Sequence, residues 1–210
     1  MTNAAIIVAA GRGERAGKSV PKQLRPLAGR PVFQWSLEAF ARHPEIDKII
    51  LVVPAGEESV YRSLCPSETE IVAGGEHRTA SVQAGLARCQ PETTRQVLIH
   101  DAARPGLTAT VISDLIRALE NSDAAAPALK IVDALKRTHD DKVVNVNRED
   151  LFRVQTPQAF RFERIKAALS LPGSYVDDLA AVEALGGSVR LVEGDDRLAK
   201  ITYPQDFAYL

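Results

Sequence analysis

AAIIVAAGRGERAGKSVPKQ, residues 4–23, sets the reading of the whole chain. Residues 4–8 form a short apolar run ending on a β-branched residue. That is the pattern of a strand buried on both faces of a parallel sheet. Gly11, Gly13 and Gly17 follow at once, with Arg12, Arg15, Lys18 and Lys22 among and after them. Glycine lets a backbone turn through positive φ and approach a ligand closely. Successive N–H groups in such a loop form a nest for anions. Four cations beside it point to a polyphosphate.

Three phosphate-loop readings compete. A P-loop ends in G-K-S, which Gly17-Lys18-Ser19 supplies, but its first glycine falls on Arg12. A dinucleotide fingerprint fits Gly11, Gly13 and Ala16. It needs a helix to open directly afterwards, and Pro21 disfavours helical residues ahead of it. The third reading is a long, open, basic loop wrapping a nucleoside triphosphate, and it meets neither objection. A plain surface turn leaves unexplained why the loop leaves a buried strand.

Two more stretches follow strand ends. In AGGEHRTASVQAGL, residues 73–86, Gly74 and Gly75 close a short strand over 70–72, and a helix runs on to Leu86. Small residues there let a flat base reach the backbone, and free N–H groups at the helix start can read its edge. An ordinary glycine turn before a helix explains the same residues. QVLIH, residues 96–100, is a third long strand after that over 48–53, and it runs into DAARP. Asp101 therefore stands at the carboxyl end of a buried strand, where open α/β sheets bind ligands. A carboxylate there suits Mg²⁺, which binds one or two carboxylates plus substrate phosphates. Capping the next helix, 108–119 with Thr108 as N-cap, is excluded by distance, because Pro105 and Gly106 intervene. Arg104 is placed to pair with Asp101 or to meet a phosphate. His100 reads as a satisfied strand histidine.

The remaining pattern predicts helices over 32–42, with Trp35 in the core, 56–64 and 163–169. Asp177 or Asp178 caps another helix, which ends at Gly186-Gly187. Strands are expected over 124–128, 188–193 and 198–202, and Pro127 makes the first of these an edge or irregular strand. Residues 131–155 read as an arm: strands over 131–137 and 142–146 around THDD, then a third over 151–155. An isolated hairpin is marginal in water, so the arm needs a partner surface, most simply a second copy of the chain. The fold class is α/β: a Rossmann-like, mostly parallel sheet with helices on both faces and a protruding β-arm. Residues 1–210 form one domain.

A-A-G-x-G-x-R followed by P-K-Q, then G-G-x-x-R-x-x-S, HDAARP and TPQ, resembles the nucleotidyltransferases that join a sugar or polyol phosphate to a nucleotide. The family most similar is 2-C-methyl-D-erythritol 4-phosphate cytidylyltransferase, of non-mevalonate isoprenoid biosynthesis. The resemblance implies a Mg²⁺-dependent transfer from CTP to methylerythritol phosphate, with pyrophosphate leaving. It implies Arg15 and Lys22 as catalytic cations. It implies nucleotide contacts at Ala9, Ala10, Gly11, Arg12, Gly13, Gly75, Glu76, Ser81, Asp101 and Ala102, with Arg78 as packed support and Asp101 holding the metal. The incoming phosphate would meet Arg104, Arg148, Thr156 and Lys200. The family uses the arm to build a homodimer; its threonine there falls on Ala134 in this chain, which is a departure. Two other functions fit the first loop: a nucleotidyltransferase for another polyol or sugar phosphate, and a non-catalytic nucleotide-binding module.

Composition bounds these readings. The chain has 210 residues, 45% of them hydrophobic, enough for a full core. Its net charge of −1 gives no global field for nucleic acid or an anionic membrane, so neither partner is expected. Two cysteines, Cys65 and Cys89, are too few for a disulfide scaffold. The amino end lacks a basic region followed by a long apolar core, so a cytoplasmic location is expected.

Overall fold

The structure, a computed structural model, is described for residues 1–11, 20–171, 173 and 175–208. The chain runs β1 (Thr2–Val8), β2 (Pro26–Leu27), β3 (Arg30–Pro31), α1 (Val32–Ala41), β4 (Lys48–Val53), α2 (Glu58–Arg62), β5 (Glu70–Ala73), α3 (Arg78–Leu86), β6 (Thr94–Asp101) and α4 (Ala109–Ala118). It continues with β7 (Ala124–Lys130), β8 (Leu135–His139), β9 (Lys142–Val146), β10 (Phe152–Val154), β11 (Gln158–Arg161), α5 (Phe162–Ser170), α6 (Asp178–Ala184) and β12 (Val189–Glu193).

Among the described residues the main sheet has eight strands, with β1 at its centre. β1 pairs in parallel with β4 on one side and β6 on the other, and β4 pairs in parallel with β5. β11 joins β6 antiparallel, so the far side of the sheet is mixed. The burial of β1 on both faces explains its apolar run. Ala5 and Ile7 pack with α1, α2 and α4, while Ala4 and Ile6 pack with α3, α5 and α6. Each buried aliphatic side chain contributes about 1.5–3 kcal/mol, so this double-sided core carries the stability. Thr108 caps α4 as its sequence predicts, accepting from Val111 N.

Several expected elements are corrected. The arm is narrower than residues 131–155: only β8 and β9 form a separate hairpin, turning on Asp140 and Asp141 at φ 45° and 62°. Two positive φ values in a two-residue loop match the twist of a hairpin. The third strand, β10, leaves the arm and pairs with Ala128, Leu129 and Lys130 of β7 in the main sheet. β7 itself is irregular but not an edge, since β12 flanks one side and β10 and β11 the other. Pro127 is tolerated because it faces the break between β10 and β11, where its carbonyl accepts from Gln155 N at 2.8 Å. The cis Thr156–Pro157 peptide lies in that break. No strand forms over 198–202; a 3-10 turn at Asp196–Leu198 leads into irregular chain, held by Ile201 N donating to Ala103 O at 2.9 Å. Helix α2 is shorter than 56–64. Trp35 is half-buried under the β2–β3 turn rather than in the core, donating to Leu27 O at 3.1 Å with the Arg30 guanidinium stacked on its ring.

Gly85 shows how closely α3 sits on the sheet. A Cβ there would lie 2.6 Å from Ile6 Cγ2 and 3.2 Å from Val52 Cγ2. Helix propensity favours Ala over Gly by about 1 kcal/mol, but overpacking a filled core costs about 1–3 kcal/mol. Gly85→Ala is therefore expected to lower the urea midpoint of unfolding. An unchanged or higher midpoint would mean α3 shifts freely on the sheet.

Candidate active site

The carboxyl ends of the parallel strands open on one cleft of about 650 Å³. That volume suits a small-molecule site. Three sequence-distant stretches build its walls: Val8 to Gly11 after β1, Gly75 to Arg78 before and into α3, and Asp101 to Ala103 after β6. Lys22, Gln23, Ser81, Lys200 and Thr202 complete the lining. Gly74 allows the first two walls to meet, because a Cβ there would sit 2.5 Å from Ala10 Cβ and 2.8 Å from Ser81 Oγ. Ser81 is buried and accepts from Gly75 N at 3.2 Å, holding the turn before α3 closed.

Asp101 is the electrostatic centre. Arg78 Nε donates to its Oδ1 at 3.1 Å and Lys200 Nζ to its Oδ2 at 2.6 Å. Burial would raise this carboxyl, but the Arg78 and Lys200 charges overcome it and hold Asp101 well below the usual carboxylate range. Arg78 also reaches Asp178 at the start of α6, Nη1 to Oδ2 at 2.7 Å. Burial raises the Asp178 carboxyl despite that partner. The guanidinium thus ties three elements together across one wall. Asp177 is the N-cap of α6, accepting from Ala180 N. Lys22 Nζ donates to Ile201 O at 2.8 Å, which brings the basic turn and the carboxy-terminal segment to the same cleft.

Behind Asp101 lies a closed polar network. His100 is fully buried, with Nε2 3.0 Å from Arg104 O and Nδ1 3.2 Å from Thr156 Oγ1. A carbonyl only accepts, so Nε2 carries the proton and Nδ1 accepts from the threonine hydroxyl. Thr156 Oγ1 in turn accepts from Asp101 N at 3.1 Å. Ser36 Oγ joins the same group, at 3.1 Å from His100 Nε2. His100 is therefore the satisfied strand histidine its position suggests.

The structure gathers Ala9, Ala10, Gly11, Lys22, Gly75, Glu76, Ser81, Asp101, Ala102 and Lys200 around the cleft. Arg12, Gly13 and Arg15 lie outside the described residues. Three expected phosphate contacts do not line the cleft of the single chain. Arg104 donates to Leu198 O at 2.7 Å, the Thr156 hydroxyl is used behind Asp101, and Arg148 is an exposed side chain bonded to Val132 O. Sequence reasoning gave no role to Gln23, although it stands in the P-K-Q motif, and it did not foresee Asp178 as the partner of Arg78. The paired aspartates at 177 and 178 were the visible signal. Among the described residues no group of three or more His, Cys, Asp or Glu side chains is placed to hold a metal. Asp101 presents an ionised hard-oxygen donor to the cleft, which fits a Mg²⁺ ion whose other ligands are phosphate oxygens and water.

Fold and cleft define the chain as an α/β protein with a small-molecule site at the carboxyl ends of its parallel strands. It matches the family described as 2-C-methyl-D-erythritol 4-phosphate cytidylyltransferase over residues 3–210, and it belongs to that family. It is 49% identical over 211 residues to the bifunctional enzyme IspD/IspF of Hyphomonas neptunium, covering 98% of this chain and 54% of that protein. It is 44% identical to the 2-C-methyl-D-erythritol 4-phosphate cytidylyltransferase of Cereibacter sphaeroides strain KD131, covering 99% of this chain and 95% of that one. The chain thus spans about half of the bifunctional relative and nearly all of the monofunctional one. The solved 4-diphosphocytidyl-2C-methyl-D-erythritol synthase of Anaerococcus prevotii superposes with a TM-score of 0.86 at 30% identity, covering 99% of this chain and 93% of that one.

The buried imidazole gives a pH signature. Burial, outweighing the hydrogen bond to Arg104 O, lowers His100 from the ordinary 6.5 to about 4. Between those values the unfolded chain binds a proton that the folded chain refuses, so stability falls as pH drops from 6.5 towards 4. Urea midpoints measured across that range should decline less steeply in His100→Gln than in the parent. Equal slopes would show that His100 is not the group responsible.

Proposed function

We propose that this chain transfers a cytidylyl group from CTP to 2-C-methyl-D-erythritol 4-phosphate, releasing pyrophosphate, in isoprenoid precursor synthesis. The observation that carries the reading is the meeting of Lys22, Asp101 and Lys200 at one cleft in a chain that belongs to this family from residue 3 to 210. The incoming phosphate attacks the α-phosphorus in line. It is already ionised, so no general base is needed. Two anions must approach one another, and positioning and positive charge supply most of the rate.

The backbone from Ala9 to Gly13 would cradle the triphosphate, and Gly75, Glu76 and Ser81 would face the base. Lys22, with Arg15, would offset charge building on the α-phosphate. Lys200 would meet the incoming phosphate once that anion competes with Asp101 for its ammonium. Mg²⁺, when bound, would be held by Asp101 and would supply Lewis-acid neutralisation of phosphate oxygens.

We also infer a homodimer through the arm. Val143 and Val144 on β9 are 63% and 50% exposed, and Val132 beside the arm is 74% exposed. A two-stranded hairpin with an uncovered apolar surface is marginal by itself, and a second copy would cover it. Arg148, set apart from the cleft within one chain, is reached in this reading through the partner's arm. The reaction and assembly are read as those of a protein working among soluble phosphates, in keeping with the expected cytoplasmic location. Among the described residues no helix is long and apolar enough to cross a membrane.

Lys22→Ala should retain the fold and lower turnover by about 10²-fold or more, the scale of a lost electrostatic stabiliser. Pyrophosphate release with CTP and methylerythritol phosphate measures this, and near-normal turnover would remove Lys22 from the chemistry. Asp101→Asn should abolish the response of the same assay to added Mg²⁺. Light scattering should give twice the chain mass; a stable monomer at assay concentration would refute the dimer.

A further inference from the structure

We propose that Gln23 is a positioning residue that holds the backbone of residues 9–11 in its nucleotide-binding shape and couples it to Lys22. The side chain is 2% exposed at the floor of the cleft. Its Nε2 donates to Ala9 O at 2.5 Å and to Gly11 O at 2.8 Å. A primary amide nitrogen carries two hydrogens, so one group satisfies both carbonyls. The consequence is electrostatic. Carbonyl oxygens facing a triphosphate repel it, and here the two on either side of Ala10 are turned onto the amide instead.

The second consequence is mechanical. Gln23 and Lys22 share one short 3-10 turn, Lys22–Leu24. A buried bond from this turn to residues 9 and 11 fixes the distance between the loop after β1 and the cation at position 22. Few other side chains fit the place. Glutamate has the same shape, yet presents oxygen to both carbonyls. Asparagine is one methylene shorter. Lysine adds a buried charge.

This inference rests on the nucleotide reading of the cleft, and the test separates the two. CTP binding is followed by calorimetry, and steady-state constants for both substrates are measured, in the parent, Gln23→Met and Gln23→Glu. Each lost neutral hydrogen bond changes affinity by severalfold, so two together give a CTP Kd and KM raised about tenfold to a hundredfold. The KM for methylerythritol phosphate should change less than about twofold, since two lost bonds act only on the loop side. Gln23→Glu regains one donor when its carboxyl is protonated, so its CTP affinity relative to the parent should improve as pH is lowered from 8 to 6. Failure of the parent to bind CTP would overturn the nucleotide reading itself. Parent-like CTP constants in the variants, or equal changes for both substrates, would overturn the brace alone. So would recovery of neither variant as folded protein, because a brace for ligand geometry is dispensable to folding.

Discussion

The parallel register at the centre of the sheet constrains everything above it. Val8 lies opposite Val52 on one side and Asp101 on the other, and Val53 lies opposite Ala73. Four strands therefore end at one level, and the chain leaves the sheet there in neighbouring places. Backbone groups that were paired within the ladder become free for other partners at that rim. Gly74 and Gly75 follow β5 directly, where space is tightest. The cleft is thus a product of strand length and register, and the side chains that face it are decided by which residue comes next.

Charge completes what register begins. Arg78, Asp101, Asp178 and Lys200 arrive from four separate parts of the sequence and form a compact group of two cations and two anions. Any one of them buried alone would be costly, and paired they are tolerated. The arrangement keeps Asp101 ionised in a place where burial opposes it. It also leaves cationic groups at the cleft that an anionic substrate can draw upon. Beneath them His100, Thr156, Ser36 and the Arg104 carbonyl form a neutral layer whose hydrogen bonds are mutually consistent. That layer supports the peptide of Asp101 without adding charge of its own.

The far side of the sheet obeys a different logic. There β7 is lined along one side by β10 and β11 in succession, with a cis proline between them, and Pro127 sits where the ladder is broken. The irregularity that one proline imposes on β7 matches the irregularity of its neighbour. From this region the β8–β9 hairpin projects with Val143 and Val144 uncovered, in contrast to the fully buried Ile6 and Ile7 of β1.

Much of this was legible from the chain alone. The apolar runs of β1, β4 and β6 report burial on both faces, Thr108 announces α4, and an aspartate directly after a buried strand marks Asp101. These are local signals, carried by composition and spacing within a few residues. The sequence could not assign β10 to the main sheet, because three residues have no periodicity and their partner is β7, more than twenty positions earlier. It could not show that the segment around Lys200 is irregular, since long-range bonds from Ile201 to Ala103, Lys22 to Ile201 and Arg104 to Leu198, with the pull of Asp101, fix it there. Nor could it show that Gln23 closes on the carbonyls of Ala9 and Gly11, or that Asp178 holds Arg78. Burial patterns are written along the chain, but a long-range pairing depends on both partners and on the fold that brings them together.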